Sequence, residues 1–564
     1  MTKFDVGQVL DALSDFEYRV SEDPGFDTKL ISIGETYGIS GEDLADTIIA
    51  FAVRHHTTYV DQVLLQQLEQ ELAKKRAVKE KHEAAHKAKI IAPYRPPPES
   101  YKDGKDHEEF QDINTFSRKY REFAPVQNTM FHTDFLHREG INSEVTATTG
   151  QQYVDAKLTT EKIEVKLLSA SPDHFFANDK AASVIEAKCD RMRSFSQLYF
   201  DANSQIGDWS RTLHPSESTI YVYGEVVREK TDLFHDGLLH IQLDNDVGTI
   251  LPIDVSNLSK VTVFPGQIAA FGGIFTASEI LEATEQLSLP KLAPMLITNP
   301  RSGMLKIVMA AGPFTNSEHL GFEPLLTLLD GIIDDAENAP NFLILHGPFV
   351  DRKNKSLFNK DLNVSATEVM DRLMANIGTK LTGIRTEVIL QPSSTKDVSS
   401  LGSFPAPALN LEVKFGTKVH LVPDPAVIDV GGIRLALTSS EIVSHLSKAE
   451  FHKSDGTDAV DRITRLSNHL LDQRSLYPLS PSPIPIRLCD MLTVSKLDCA
   501  PHLLIVPSLL PPSVKVSDTT VVCNPGSLLR AKSGTYVEAH INLGKLGSEA
   551  AKFTEVSRFR VLRI

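Results

Sequence analysis

The sequence predicts a multidomain α+β protein: an N-terminal helical bundle, a small β-barrel and a layered α/β sandwich. Apolar residues recur at helical spacing through the first 72 positions. Short β-rich runs, separated by glycine and proline turns, begin at Thr219. From about Pro300 onward, strand patterns alternate with helical ones. A chain of 564 residues has the mass for two or three such cores.

Composition bounds the function. Apolar content of 41% and charged content of 23% are those of a globular protein, and no apolar run is long enough for a membrane span. The stretch Met1 to Asp15 is acidic and amphipathic, unlike a secretory signal. Cys189, Cys489, Cys499 and Cys523 lie far apart with no Cys-x-x-Cys pair, which suits free thiols in a reducing compartment and gives no zinc site. A formal net charge of −15 speaks against a protein whose main task is gripping a phosphate backbone. Little direct nucleic-acid binding and no membrane partner are expected. An acidic subunit of a DNA-handling complex fits.

Residues 1–72 form the helical domain. Val6, Val9, Leu10, Leu13 and Phe16 share one helical face, and Asp23-Pro24-Gly25 is a turn. Thr28 to Tyr37 is a second helix. Ser40 with Asp43 opens a third, striped by Leu44, Ile48, Phe51 and Ala52. Gln62 to Leu72 is a fourth. Such a bundle serves protein docking or simple packing. Residues 73–125 read as a charged, proline-rich linker. Lys74-Lys75-Arg76 within it is either a solvated arm or a nuclear-import signal, and Pro96-Pro97-Pro98 favours extended chain. Residues 126–215 are a lead-in to the next domain, with strand-like alternation over Val154 to Leu168 and a helix over Ala181 to Tyr199.

Residues 216–298 carry the barrel. Its strands are Ile220 to Val227, Leu238 to Leu243, Gly248 to Ile253, Leu258 to Val263 and Ile268 to Phe275. Short twisted strands with glycine bends fit the OB type, in which exposed aromatics beside basic side chains bind single strands. Tyr221, Tyr223, Phe264 and Phe271 are few for that task, and core positions account for all four.

Residues 299–564 form the α/β domain, organised around Phe342 to Asp351. The apolar run Phe342 to Leu345 breaks at Gly347-Pro348, as a strand buried on both faces does before a site-forming loop. Binuclear metallophosphoesterases place Asp, His and Asn at five such strand ends to hold two ions about 4 Å apart. Here the ends read Gly312-Pro313, Gly347-Pro348, Gln391-Pro392-Ser393, Tyr477-Pro478 and Val506-Pro507-Ser508. Proline has no oxygen to offer a metal. Asp351 survives from that pattern and reads as a cap or turn residue. His346, His445, His469 and His502 have no ligand spacing. Ser393-Ser394 and Ser439-Ser440 read as turn serines. A calcineurin-like, inactive sandwich is the expectation, with no catalytic residue, metal, cofactor or enzyme activity, and no partner-interface residue assigned.

Several motifs are more specific than these patterns. They are Val263-Phe264-Pro265-Gly266-Gln267, Ala311-Gly312-Pro313-Phe314-Thr315, Glu323-Pro324-Leu325-Leu326 and Gly347-Pro348-Phe349-Val350-Asp351. Asp461-Arg462-Ile463, Gln473-Arg474-Ser475-Leu476-Tyr477-Pro478-Leu479, Asn524-Pro525-Gly526 and the terminal Val561-Leu562-Arg563-Ile564 complete the set. On these residues the chain resembles the B subunits (second-largest subunits) of eukaryotic DNA polymerase α–primase. The resemblance implies a nuclear, phosphorylated, non-catalytic scaffold. It would dock the C-terminal domain of the catalytic subunit, work with the small and large primase subunits in primer synthesis, and recruit other replication factors through its N-terminal domain. Ser171-Pro172, Ser480-Pro481 and Ser482-Pro483 are bare phosphorylation candidates. The B subunits of other replicative polymerases share the architecture, and an OB-fold single-strand-binding protein is the alternative from another class.

Overall fold

The computed structural model describes residues 6–73 except 16–18, 22, 24, 38–40, 55–56, 58 and 71. It further describes residues 142–564 except 171–179, 207–208, 211–212, 229–233, 236–237, 245–247, 296–300, 317–319, 359–363, 412–417, 456–459, 530–533 and 547–551. The linker basic cluster, the Ser40 cap and Ser171-Pro172 lie outside the described residues. The chain divides into two compact units, Met1–Arg121 and Glu122–Ile564.

In the first unit the helices Val6–Asp15, Phe26–Tyr37 and Gly41–Arg54, with a helical stretch over 62–70, share one core. Val9, Leu13, Leu30, Ile33, Leu44, Ile48, Phe51 and Leu65 fill it. Their three-to-four-residue spacing puts them on the inward stripes. Lys29 clips the second helix to the last through Glu69 at 2.5 Å.

In the second unit five strands close a circuit: Ile220–Val227, Leu238–Leu243, Ile250–Asp254, Leu281–Leu287 and Ile268–Phe275, which returns to the first. Only the contact between Ile250–Asp254 and Leu281–Leu287 is parallel. Phe271 and Ala269 point into this barrel, while Ile268 and Ala270 point outward beneath the helix Ala181–Ala202. Both faces are covered there, so the strand reads as an unbroken apolar run. The expected strand over Leu258 to Val263 shortens to Val261–Val263 and leaves the barrel wall, pairing instead with Phe451–Lys453. Leu281–Leu287, unforeseen, takes the fifth place.

The remainder is a two-sheet sandwich. The seven-stranded sheet runs Val419–Leu421, Glu387–Gln391, Phe342–His346, Met304–Ala311, Thr535–Asn542, Ser557–Arg563, Glu144–Thr149. The six-stranded sheet runs Ser513–Ser517, Thr520–Asn524, Leu503–Ile505, Ile433–Leu437, Ala426–Val430, Val165–Leu167. Phe342 and Ile344 face the inter-sheet core; Leu343 and Leu345 face the helices Glu323–Asp334 and Ala366–Lys380. Helices Ile442–Ala449, Arg462–Asp472 and Leu488–Val494 cover the other sheet. The lead-in expectation for 126–215 is thus corrected: Glu144–Thr149 and Val165–Leu167 are edge strands of the two sheets. An edge strand has one hydrogen-bonded neighbour and a wet face, so its sequence stays polar.

Barrel and sandwich are joined through buried polar groups. Gln473 Oε1 accepts from Ile268 N and from Arg191 Nη2, both at 2.9 Å, and its Nε2 donates to Ile268 O at 3.0 Å. Arg191 Nη1 donates to Gly266 O at 2.9 Å, and Ser480 N donates to Pro265 O at 3.0 Å. Phe264 meets the edge of His469 at 4.8 Å. Glu450 receives Arg465 through two bonds, 2.9 and 3.0 Å, and lies 2.8 Å from His469 Nε2. Burial alone would raise the Glu450 carboxyl; the bonds from His469 and Arg465 win and hold it down at about 2.

Two outcomes are expected. Gln473→Leu strands the buried Ile268 N–H and one Arg191 N–H, and should cost about 2–4 kcal/mol in urea denaturation. Glu450→Gln addresses pH. A carboxylate held near 2 against an ordinary 4.5 stabilises the fold above about pH 4.5 and loses that contribution as pH falls toward 2. The variant should be less stable than the parent by about 3 kcal/mol at neutral pH, with the gap closing below pH ~4. Thermal melts across that range read it directly.

Candidate functional site

The parallel strands Met304–Ala311, Phe342–His346 and Glu387–Gln391 end at one edge of the sandwich. Gly312 N donates to His346 O and Gly347 N to Gln391 O, both at 2.8 Å, so the corners nest together. A Cβ on Gly347 would lie 2.2 Å from Asp397 Oδ2 and 2.4 Å from Ser393 N, so the corner admits only glycine. What approaches it is a buried carboxylate. Asp397 Oδ1 accepts from Phe349 N at 2.6 Å and Val350 N at 3.1 Å, and Oδ2 from Ser393 N at 2.6 Å. Burial pushes this carboxyl up to about 7 against the pull of the three N–H donors.

A second buried carboxylate, Asp424, takes four donors: Thr438 Oγ1 at 2.9 Å, Ser439 N at 3.0 Å, Ser439 Oγ at 2.6 Å and Ser394 N at 3.2 Å. Ser439 is therefore more than a turn serine, since its hydroxyl as well as its N–H binds Asp424, while Ser393 and Ser394 contribute backbone N–H groups. They saturate the acids that would otherwise be free. His346 Nδ1 lies 2.7 Å from Gln391 Oε1, and Gln391 Nε2 donates to Pro423 O at 2.8 Å. Burial lowers the His346 imidazole to about 4, so it is neutral at physiological pH.

Asp351 accepts from Lys353 N at 2.8 Å, the turn role its position suggested. The four histidines are not brought together. His445 lies 3.0 Å from Tyr477 OH, His469 sits on Glu450, and His502 contacts Met295 O at 3.2 Å. Among the described residues no group of three or more His, Cys, Asp or Glu is placed to hold a metal. At this edge proline occupies the corners, and Asp397 and Asp424 are bonded to backbone and hydroxyl donors.

On the barrel, Tyr223, Phe264 and Phe271 are buried. Tyr221 is the exception: it is partly exposed and bonds Glu285 at 3.0 Å. The sequence pattern missed Glu285 because its strand carries Glu282, Glu285 and Gln286, and its alternation breaks at a bulge beside Gly272. Two of the specific motifs share a destination. Phe264 to Gln267 and Gln473 to Leu479 meet at the barrel–sandwich junction, and Asp461 caps its helix by accepting from Thr464 N at 3.2 Å.

Residues 307–515 match the family model for the B subunit of DNA polymerases alpha and epsilon, and residues 8–75 match the model for the N-terminal part of the DNA polymerase alpha B subunit. The DNA polymerase alpha B subunit of Caenorhabditis elegans is 29% identical over 587 aligned residues, covering 99% of this chain and 100% of that one. The chain belongs to the family of DNA polymerase alpha B subunits. The Mus musculus member is 29% identical over 342 residues, 58% of this chain and 56% of its own length. That from Schizosaccharomyces pombe is 25% identical over 365 residues, 59% and 63%. Among solved structures, a predicted phosphoesterase from Streptococcus pneumoniae covers 42% of this chain and 83% of its own at 8% identity and a TM-score of 0.18. A Vps29 variant from Entamoeba histolytica covers 42% and 87% at 11% identity and the same TM-score of 0.18. Family membership assigns the chain to the polymerase alpha complex and to DNA replication.

Asp397→Ala should leave three buried N–H groups without partners and destabilise the second unit by about 3–5 kcal/mol. Asp351→Ala, at a partly exposed turn, should cost under about 1 kcal/mol. Denaturation of the two variants side by side checks the contrast.

Proposed function

We propose that the chain is a non-catalytic, nuclear scaffold of the polymerase alpha–primase assembly. It docks the C-terminal domain of the catalytic subunit and supports primer synthesis at initiation and on the lagging strand. The carrying observation is the strand-end edge of the sandwich. Where a phosphoesterase-like domain would present metal ligands, this one presents Gly-Pro corners over two saturated carboxylates. With both acids bonded to backbone and hydroxyl donors, neither is left as an open ligand for a metal. The edge's dense internal hydrogen bonding suits a docking platform.

The closed five-stranded circuit supports reading the barrel as OB-type. Burial of Tyr223, Phe264 and Phe271 removes most of the aromatic surface that stacking on bases would need, which favours protein docking over single-strand binding. The N-terminal helical unit is read as a recruiting module for other replication factors.

The test is recovery of the tagged full chain from nuclear extract at moderate salt, with stoichiometric partners identified by mass spectrometry. The expected set is one polymerase catalytic subunit and two primase subunits, with no phosphatase activity in the purified chain with or without manganese. Recovery alone, or with subunits of another polymerase, overturns the reading.

A further inference from the structure

A cavity of about 370 Å³ opens on the outer face of the barrel, beside the end of the helix Ala181–Ala202. Asn203, Gln205 and Ile206 form one wall; Thr219, Tyr221, Glu285 and Leu287 form the others. Tyr221, Gly272 and Glu285 are cross-strand neighbours in one row. The Tyr221 hydroxyl reaches Glu285 Oε1 at 3.0 Å, so the pair arches over Gly272. A Cβ at Gly272 would lie 2.7 Å from the Tyr221 ring and 3.0 Å from Glu285 Cγ, and would prise the arch open. The register shift between Gly272 and Gly273 falls at the same point, as bulges that re-aim a side chain do. Behind Tyr221 stands Trp209, with ring centroids 6.1 Å apart.

We propose that this cavity receives a guanidinium group, the arginine side chain of a partner protein. Glu285 offers a carboxylate that Tyr221 holds in place, and a planar fork can pair with it through two donors. The Tyr221 ring supplies a π face for the cation. Asn203 Nδ2 is engaged with Tyr199 O at 2.9 Å, which leaves its oxygen as an acceptor. Ile206 and Leu287 flank the aliphatic stem. An anion would meet Glu285 head on, and an apolar group would leave that carboxylate without a counter-charge. The net charge of −15 also favours approach of a cation.

Trp209 is the chain's only tryptophan, which makes it a reporter for the neighbouring cavity. The full-length chain would be titrated with N-acetyl-arginine methylamide, with the citrulline analogue (a neutral isostere) and with free arginine. The expected result is a saturable change in Trp209 fluorescence with the capped arginine, Kd on the order of 1 mM. The citrulline analogue should give no such change. Glu285→Gln should weaken binding by at least about tenfold. Tyr221→Phe, which keeps the ring but frees Glu285, should weaken it about threefold. An equal response to citrulline, or undiminished binding by Glu285→Gln, overturns the site. Tighter binding of free arginine overturns its assignment to a partner's side chain.

Discussion

A buried carboxamide sits at the centre of the joint between the two folded bodies of the second unit. Gln473 presents an acceptor and a donor to the two backbone groups of Ile268, as a neighbouring strand would, and the same oxygen holds the Arg191 guanidinium. Three chain segments far apart in sequence are therefore fixed by one side chain whose atoms are buried. Glutamate would lack the donor, and a shorter amide would not keep the reach. The surrounding contacts, from Phe264 on His469 to Ser480 on Pro265, fall into place around that pairing. Because buried polar groups are costly when unmatched, such a junction permits one arrangement and disfavours sliding.

The strand-end edge is governed by the same rule. Carboxylates at such an edge need compensation, from metal ions or from hydrogen-bond donors. Asp397 and Asp424 have donors, drawn from Phe349, Val350, Ser393, Ser394, Thr438 and Ser439. The two acids at the edge are consequently satisfied from within the chain. That explains how a layered α/β domain can keep the geometry of a site-bearing fold while its interior polar groups serve stability.

Much of this was legible in the sequence, and the exceptions have physical causes. Phe342–His346 was visible because both its faces are buried, which forces the four residues Phe342 to Leu345 toward bulk and apolarity. Glu144–Thr149 was not, because five of its six residues are exposed and only one neighbour constrains it. Leu281–Leu287 was lost to the bulge beside Gly272, which breaks the alternation that marks a strand. Asp351 could be read as a turn residue from local spacing alone. The partnership of Ser439 with Asp424 could not, since it spans 15 positions and depends on two strands lying side by side. Gln473 left one trace: a dense motif whose purpose no local pattern explained.

Among the described residues the edge strand Glu144–Thr149 has one ladder partner, Ser557–Arg563. The barrel, by contrast, closes entirely within residues 220–287. During synthesis the barrel can therefore close while the ribosome is still making the sandwich, and the edge strand must wait for Ser557–Arg563 to emerge. The sandwich is stitched from both sides of an inserted barrel. A fragment beginning at 299 would lack the outer strand of each sheet, and its exposed backbone edges would be open to pairing with other chains.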